Sequence, residues 1–255
     1  MSALLPTMCA VMVCQCTAGA GYRQAERFTR APFGTVRVYR PQGSERNLAL
    51  LVSGDGGWGA GIASIAQDLA GTDTLVAGID GAEFLHGLGS GAAGCASPAG
   101  ELATLSEFLI ARYHLPPSTR ATLVGHSAGA TIAYVALAQA GAGTFTGALT
   151  LSFCTELDLD RPLCPAAALH GVAVPSGIEL TPGGPLPAPW IAVHGLNDKV
   201  CPAAAGAAFA AGIPQATFSA IPGVDHNYRD RALWWPAFMA GYRKLSGQGS
   251  AAPGR

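Results

Sequence analysis

Midway along the chain, Gly125-His126-Ser127-Ala128-Gly129 joins two segments that cannot be the same kind of element. Before it, Ala121-Thr122-Leu123-Val124 is short and apolar, as a strand buried on both faces should be. After it, Ala128–Ala140 is alanine-rich and free of charge, the pattern of a buried helix. A strand that becomes a helix across one residue turns too tightly for a Cβ on either flank, so glycines bracket the serine. The turn lifts the Ser127 hydroxyl above the end of a sheet and sets the first helical amides beneath it. Such a run occurs by chance in a chain with 34 glycines among 255 residues, so its weight comes from its place between strand and helix.

The rest of the chain repeats the alternation. Phe33–Arg40 alternates apolar and polar residues up to Pro41, and Leu48–Val52 is a continuous apolar run stopped by Ser53-Gly54. Ile62–Ala70 has helical spacing and closes at Gly71; Thr74–Ile79 reads as a strand, followed by a glycine-rich loop through Pro98. Leu102–Tyr113 is an amphipathic helix ended by Pro116-Pro117. Gly147–Leu151 and Trp190–Val193 read as strands with an irregular insertion between them. Ala203–Ala211 is a helix, Ala216–Ile221 the last strand and Arg229–Leu245 the last helix. Repeated βα order predicts a mostly parallel sheet with helices on both faces, in one domain over residues 33–245. Residues 21–32 form a lead-in, and residues 246–255 a frayed tail. No Asp, Glu, Lys or Arg occurs between Arg120 and Glu156, yet glycines cut that stretch into strand, helix and strand rather than a membrane span.

A serine hydroxyl needs a base, and the base needs an acid to orient it. In the α/β-hydrolase fold, which this pattern predicts, the order along the chain is serine, acid, histidine. Asp198 follows the strand Trp190–Val193 and His226 follows the strand Ala216–Ile221, so both lie in loops at the sheet end that carries Ser127. Asp225 competes as the acid, but a direct neighbour has poor geometry for gripping the His226 ring. His86 and His114 precede the serine, His170 lies in the insertion, His194 ends a strand, and the His126 side chain is expected to point away along the turn. An oxyanion would be held by the N–H of Ala128 and by that of Asp55 or Gly56, in the loop Ser53-Gly54-Asp55-Gly56-Gly57-Trp58. The glycine loops lack the Lys-Ser/Thr pair of a phosphate loop, and the cysteines lack metal-ligand spacing, so neither a cofactor nor a metal is expected.

The charge balance, a formal −1, speaks against a nucleic-acid partner. Residues 1–20 carry no charge, centre on the apolar Cys9–Cys14 and end in Ala18-Gly19-Ala20, a small-x-small cleavage pattern. They read as an export signal, though without the usual basic start; an N-terminal anchor and a plain extension are the alternatives. Removing them takes three of seven cysteines and leaves Cys95, Cys154, Cys164 and Cys201, an even set suited to two disulfides in an oxidising compartment. The favoured bridge is Cys154–Cys164, closing a small loop, with Cys95 and Cys201 left to pair or stay free. Cys154 and Cys201 each follow strands expected to be neighbours.

The loop Ser53-Gly54-Asp55-Gly56-Gly57-Trp58 resembles the bacterial VirJ and AcvB family. So do Cys95 through Gly100, Phe153 through Cys164, and Gly195 through Cys201, so the resemblance runs from about residue 33 to 245. It implies a periplasmic α/β hydrolase associated with virulence and type IV secretion, hence a membrane-surface contact and a secretion-system partner. It also implies hydrolysis of the aminoacyl ester of lysyl-phosphatidylglycerol, a phospholipid ester. Ser127, Asp198 and His226 fall on that family's nucleophile, acid and base. A general carboxylesterase, lipase or thioesterase, and a non-catalytic secretion accessory, are the other readings.

Overall fold

The computed structural model describes residues 22–91 and 94–248; the segment expected to direct export and residues 249–255 of the tail lie outside the described residues. The lead-in carries the first strand, β1 (Tyr22–Arg30), which forms an antiparallel hairpin with β2 (Gly34–Pro41) at one edge of the sheet. Charged residues such as Glu26, Arg27 and Arg30 keep that edge from pairing further. From there β3 (Asn47–Val52), α1 (Ala60–Ala70) and β4 (Thr74–Ile79) start the parallel part of the sheet, with β2 antiparallel against β4.

The segment after β4 is not the loop expected from its glycines. Residues Gly81–Gly89 form helix α2. Asp80 caps it, its Oδ1 accepting from the N–H groups of Ala82 and Glu83, and Phe84, Leu85 and Leu88 bury one face. Burial and a cap outweigh the poor helix propensity of glycine here. Next come α3 (Pro98–Arg112), β5 (Ala121–His126), α4 (Ala128–Gln139) and β6 (Phe145–Leu151).

The insertion before the next main strand is also more regular than expected. It holds β7 (Glu156–Leu157), β8 (Leu169–Val174) and β9 (Gly177–Pro182), an antiparallel sheet in the order β7-β9-β8. Most of β8 is exposed, so it lacks the apolar alternation that marks a strand in sequence, while Leu157, Ile178 and Leu180 join the core. The chain then completes the main sheet with β10 (Trp190–Gly195), α5 (Ala203–Ala211), β11 (Ala216–Ile221) and α6 (Arg231–Leu245).

The main sheet runs β1-β2-β4-β3-β5-β6-β10-β11, parallel from β4 onward. This is the α/β-hydrolase fold. Strand order reverses at β3, which has β4 on one side and β5 on the other; a crevice opens at the carboxyl ends of strands at such a point. Two apolar layers sandwich the sheet. One gathers α2, α3, α4 and α5 around residues such as Leu102, Tyr134 and Trp190; the other gathers α1 and α6 around Ile65, Leu69, Trp234 and Phe238. Residues Gly129–Ala138 of α4 are buried on every face, which explains the missing charge between Arg120 and Glu156. Among the described residues no helix is long and apolar enough to cross a membrane.

The cysteines pair as Cys95–Cys164 and Cys154–Cys201, with Cα separations of 4.7 and 5.0 Å. The expected Cys154–Cys164 bridge does not form, because the segment between them leaves β6 at once. The Thr155 carbonyl accepts from the N–H of Leu180, and Cys164 arrives beside Ala96, exchanging N–H···O bonds of 2.8 Å through Pro162 and Cys164. Cys154 instead meets Cys201 because β6 and β10 are adjacent. Peptide mapping of the protein isolated without reductant should recover these two bridges, and a Cys154–Cys164 peptide would refute them. Cys164→Ser, which opens a span of 69 residues, should lower the unfolding free energy by about 4 kcal/mol in denaturant titrations.

Candidate active site

Ser127 stands between β5 and α4 with φ 56° and ψ −127°, a conformation a residue with a Cβ rarely adopts. Its flanking glycines are required by space. A Cβ on Gly125 would run into the Gly129 carbonyl, and one on Gly129 into the carbonyls of Val52 and Ser53. The tight passage turns the Ser127 hydroxyl toward the loop that follows β11.

There His226 meets it. The ring Nε2 lies 3.0 Å from Ser127 Oγ, and Nδ1 lies 2.9 Å from Asp198 Oδ2. A carboxylate only accepts, so Nδ1 carries the proton and Nε2 of the neutral ring is left to accept from the serine. Asp198 is 5 % exposed. Its Oδ1 accepts from the N–H groups of Val200 and Cys201, both at 2.9 Å, and its Oδ2 also accepts from the Ser152 hydroxyl. Burial pushes the carboxyl pKa up, but the bonds from Ser152, Cys201 and His226 outweigh it and hold Asp198 below the usual carboxylate range.

Asp225 is not part of this chain of contacts. Its Oδ1 accepts from the Asn227 N–H at 3.0 Å, a local turn beside the imidazole. His126 corrects the expectation that its ring points away. Its Nε2 donates to the His226 carbonyl at 2.9 Å, with ring centroids 5.2 Å apart, so it holds the histidine loop from below. His194 is fully buried, donates through Nε2 to the Cys201 carbonyl at 2.6 Å, and braces the far end of the Asp198 loop. His86 and His170 are exposed on α2 and β8, and His114 follows α3 away from Ser127.

The amides of Ala128 and Asp55 have no hydrogen-bond partner among the described residues and flank the serine. Gly56 is not available as a donor, because its N–H bonds Asp55 Oδ1 at 3.0 Å. Strands β3 and β5 pair as far as Val52 and Gly125, which brings the two donor-bearing turns together; a Cβ on Gly54 would sit 3.0 Å from that of Ser127. Asp80, which the sequence did not flag, fixes this loop by accepting from the Trp58 N–H at 2.9 Å while capping α2.

A cleft of about 520 Å³ opens over Ser127, lined by the Gly54–Gly57 turn, Ile62 and Ser64 of α1, and Arg229, Arg231 and Trp234. A larger groove of about 690 Å³ lies around the end of α3, lined by Glu107, Ile110, His114 and Arg120, and includes none of Ser127, Asp198 and His226. Among the described residues no three His, Cys, Asp or Glu side chains gather to hold a metal ion. A cleft of mixed polar and apolar lining over a serine, an imidazole and two free amides can carry acyl transfer.

No family model and no curated protein matches the chain. Solved structures share its fold. Est1E from Butyrivibrio proteoclasticus matches with a TM-score of 0.54 at 15 % identity, over 89 % of this chain and 97 % of that one. A putative dienelactone hydrolase from Klebsiella pneumoniae gives 0.60 at 15 %, over 89 % and 98 %. The butyrate-bound esterase Est2 of Thermogutta terrifontis gives 0.61 at 13 %, over 91 % and 97 %.

Half-buried His126 and fully buried His194 make stability pH-dependent. Burial lowers the pKa of His126, against the pull of the His226 carbonyl, and that of His194, against the pull of the Cys201 carbonyl. A lowered histidine pKa means the unfolded chain takes up protons first, so this stability is present above the unfolded value of about 6.5 and is lost as pH falls below it. Asp198, also lowered, adds stability that is present above about 3.9 and is lost only at still lower pH. Denaturation midpoints should therefore drop between about pH 7 and 5, and His194→Gln should flatten that drop. A midpoint independent of pH over that range would contradict it.

Proposed function

We propose that this chain is an exported serine ester hydrolase working through an acyl-enzyme. The observation that carries the reading is the unbroken series Asp198–His226–Ser127, with bonds of 2.9 and 3.0 Å, facing two unpartnered amides. Ser127 Oγ attacks the ester carbonyl while its proton passes to His226 Nε2, and Asp198 steadies the imidazolium. The oxyanion lies against the N–H groups of Ala128 and Asp55. Collapse of the adduct breaks the bond to the alcohol, which leaves with the proton from His226. Water then gives a proton to the same nitrogen as it attacks the acyl group; the carboxylic acid departs and Ser127 recovers its hydrogen. The known esterases with this fold support an ester substrate.

For the substrate we take the aminoacyl ester of lysyl-phosphatidylglycerol, on the resemblance of the Ser53–Trp58 loop to the VirJ and AcvB family. Two features of the surface agree with it. Leu196, Val200 and Leu233 are exposed on loops and a helix start around the sheet end that bears the cleft, where a lipid surface would meet them. A groove lined by Asp55, Asp158 and Asp160 shares Asp55 with the cleft, so a cationic acyl group would find carboxylates there. The two disulfides agree with an oxidising compartment outside the cytoplasm. The likeness to a putative dienelactone hydrolase and to esterases favours a second reading, a general carboxylesterase.

Lysine release from lysyl-phosphatidylglycerol vesicles, compared with hydrolysis of short-chain nitrophenyl esters, separates the two: release with kcat/KM above that for the simple esters is expected, and the reverse order would favour the second. A fluorophosphonate probe should label Ser127 alone, and Ser127→Ala should lose about 10⁴-fold or more in kcat while staying folded. Asp198→Asn should cost about 10⁴-fold through the wrong His226 tautomer, whereas Asp225→Asn should cost far less. A more damaging Asp225→Asn would move the acid to that residue.

A further inference from the structure

Among the described residues five with a Cβ have positive φ, and three of them, Ser127, Ser152 and Tyr228 (56°, 52° and 52°), belong to the hydrogen-bond network of Asp198: Ser152 bonds it directly, Ser127 through His226 and Tyr228 through Ser152. For Ser127 the cause is the strand-to-helix turn. Ser152 and Tyr228 make no such turn, so another part of the structure must hold them in a conformation that costs free energy. Ser152 is the first residue beyond β6. Its hydroxyl donates to Asp198 Oδ2, the oxygen that also accepts from His226 Nδ1. Its N–H is shared between the Val193 carbonyl at 3.2 Å and Tyr228 Oη at 3.0 Å, and the Tyr228 hydroxyl donates in turn to Val193 at 2.9 Å. Ser152 Oγ also lies 3.1 Å from Tyr228 Oη; each hydroxyl has one proton, and the carboxylate, the stronger acceptor, takes that of Ser152 while the Val193 carbonyl takes that of Tyr228.

We infer that Ser152 is a positioning residue of the active site, aiming the Asp198 carboxylate at His226, and that Tyr228 ties this aim to the loop carrying the histidine. The inference rests on the hydrolase reading. Asp198 can rotate about its last side-chain bond only by breaking bonds at both ends. Val200 and Cys201 hold Oδ1, and Ser152 and His226 hold Oδ2. Tyr228 lies two residues after His226 and is 5 % exposed, so one ring spans the ends of β6 and β10 and the histidine loop together. Burial pushes its pKa up to about 12, which keeps it a donor. The other titratable groups facing Asp198 are His194 from β10, with Nε2 3.8 Å from Oδ2, and His126 from β5; Lys199, in the same loop as Asp198, is exposed.

The Ser152 proton also draws charge from Oδ2 and so tempers the pull of Asp198 on the imidazolium. Without it the carboxylate holds the charged ring more strongly, and the acid limb of the pH–rate profile, which requires neutral His226, moves to higher pH. The test is Ser152→Gly, which removes the hydroxyl, keeps the N–H that Tyr228 accepts, and suits a φ of 52°. The expected result is a folded protein with kcat reduced roughly ten- to hundredfold, KM little changed, and the acid limb raised by about half a pH unit or more. The downfield proton resonance of the His226–Asp198 hydrogen bond, observed without substrate, should shift in the same variant. Tyr228→Phe should move kcat and the acid limb in the same directions by less, and no movement would remove the tyrosine from the proposal. Ser127→Ala assayed in parallel separates the claims. If that variant is inactive while Ser152→Gly matches wild type in kcat, acid limb and resonance, the positioning role is overturned; if Ser127→Ala retains activity, the hydrolase reading itself has failed.

Discussion

A carboxylate taken out of water keeps its charge only where donors replace the water it has lost. Asp198 is such a group, and its donors come from three separate segments: Ser152 beyond β6, Val200 and Cys201 beyond β10, and His226 beyond β11. No two of these segments can shift independently without leaving buried charge or a buried donor unpaired. The Cys154–Cys201 bridge pins the first two together covalently, and His194 holds the Cys201 carbonyl from within the core. The histidine loop is caught on its other side by His126. The placement of His226 against Ser127 depends on satisfying that one anion.

Sheet order decides which loops are available for that task. Because the strand order reverses at β3, the turns after β3 and β5 lie side by side, and two amides from segments about seventy residues apart converge on one point. Helices α1 and α6 share one face of the sheet and wall the cleft between them. Arg231 joins them: Nη1 reaches Ser64 and Asp68, both at 2.6 Å, while its guanidinium stacks 3.8 Å above the Trp235 ring. Arg231 and Ser64 both line the cleft over Ser127.

The opposite face shows why α4 could discard every charge. The sheet lies on one side of it, α3 packs along another, and the small β7-β9-β8 sheet covers a third. The same small sheet carries Cys164 back to Cys95, so the two bridges fasten the insertion at one end to the loop before α3 and at the other to the loop that holds Asp198.

Local chemistry in the sequence was enough to determine the elements whose burial or turn requirement is extreme. Leu48–Val52, Thr74–Ile79 and Ala121–Val124 read as strands because they are buried on both faces, and the Gly125–Gly129 turn was legible because only glycine fits there. Order along the chain singled out Ser127, Asp198 and His226, since each follows a strand of the parallel sheet. What stayed hidden depended on partners distant in sequence. Helix α2 needs the Asp80 cap and the core that receives Phe84; β8 needs β9 beside it, because its own side chains face solvent. The cysteine pairing followed strand adjacency rather than the shortest loop. Ser152, Asp80 and Tyr228 carry no motif, because a hydroxyl or carboxylate acquires its role only when folding brings a donor or acceptor within about 3 Å of it.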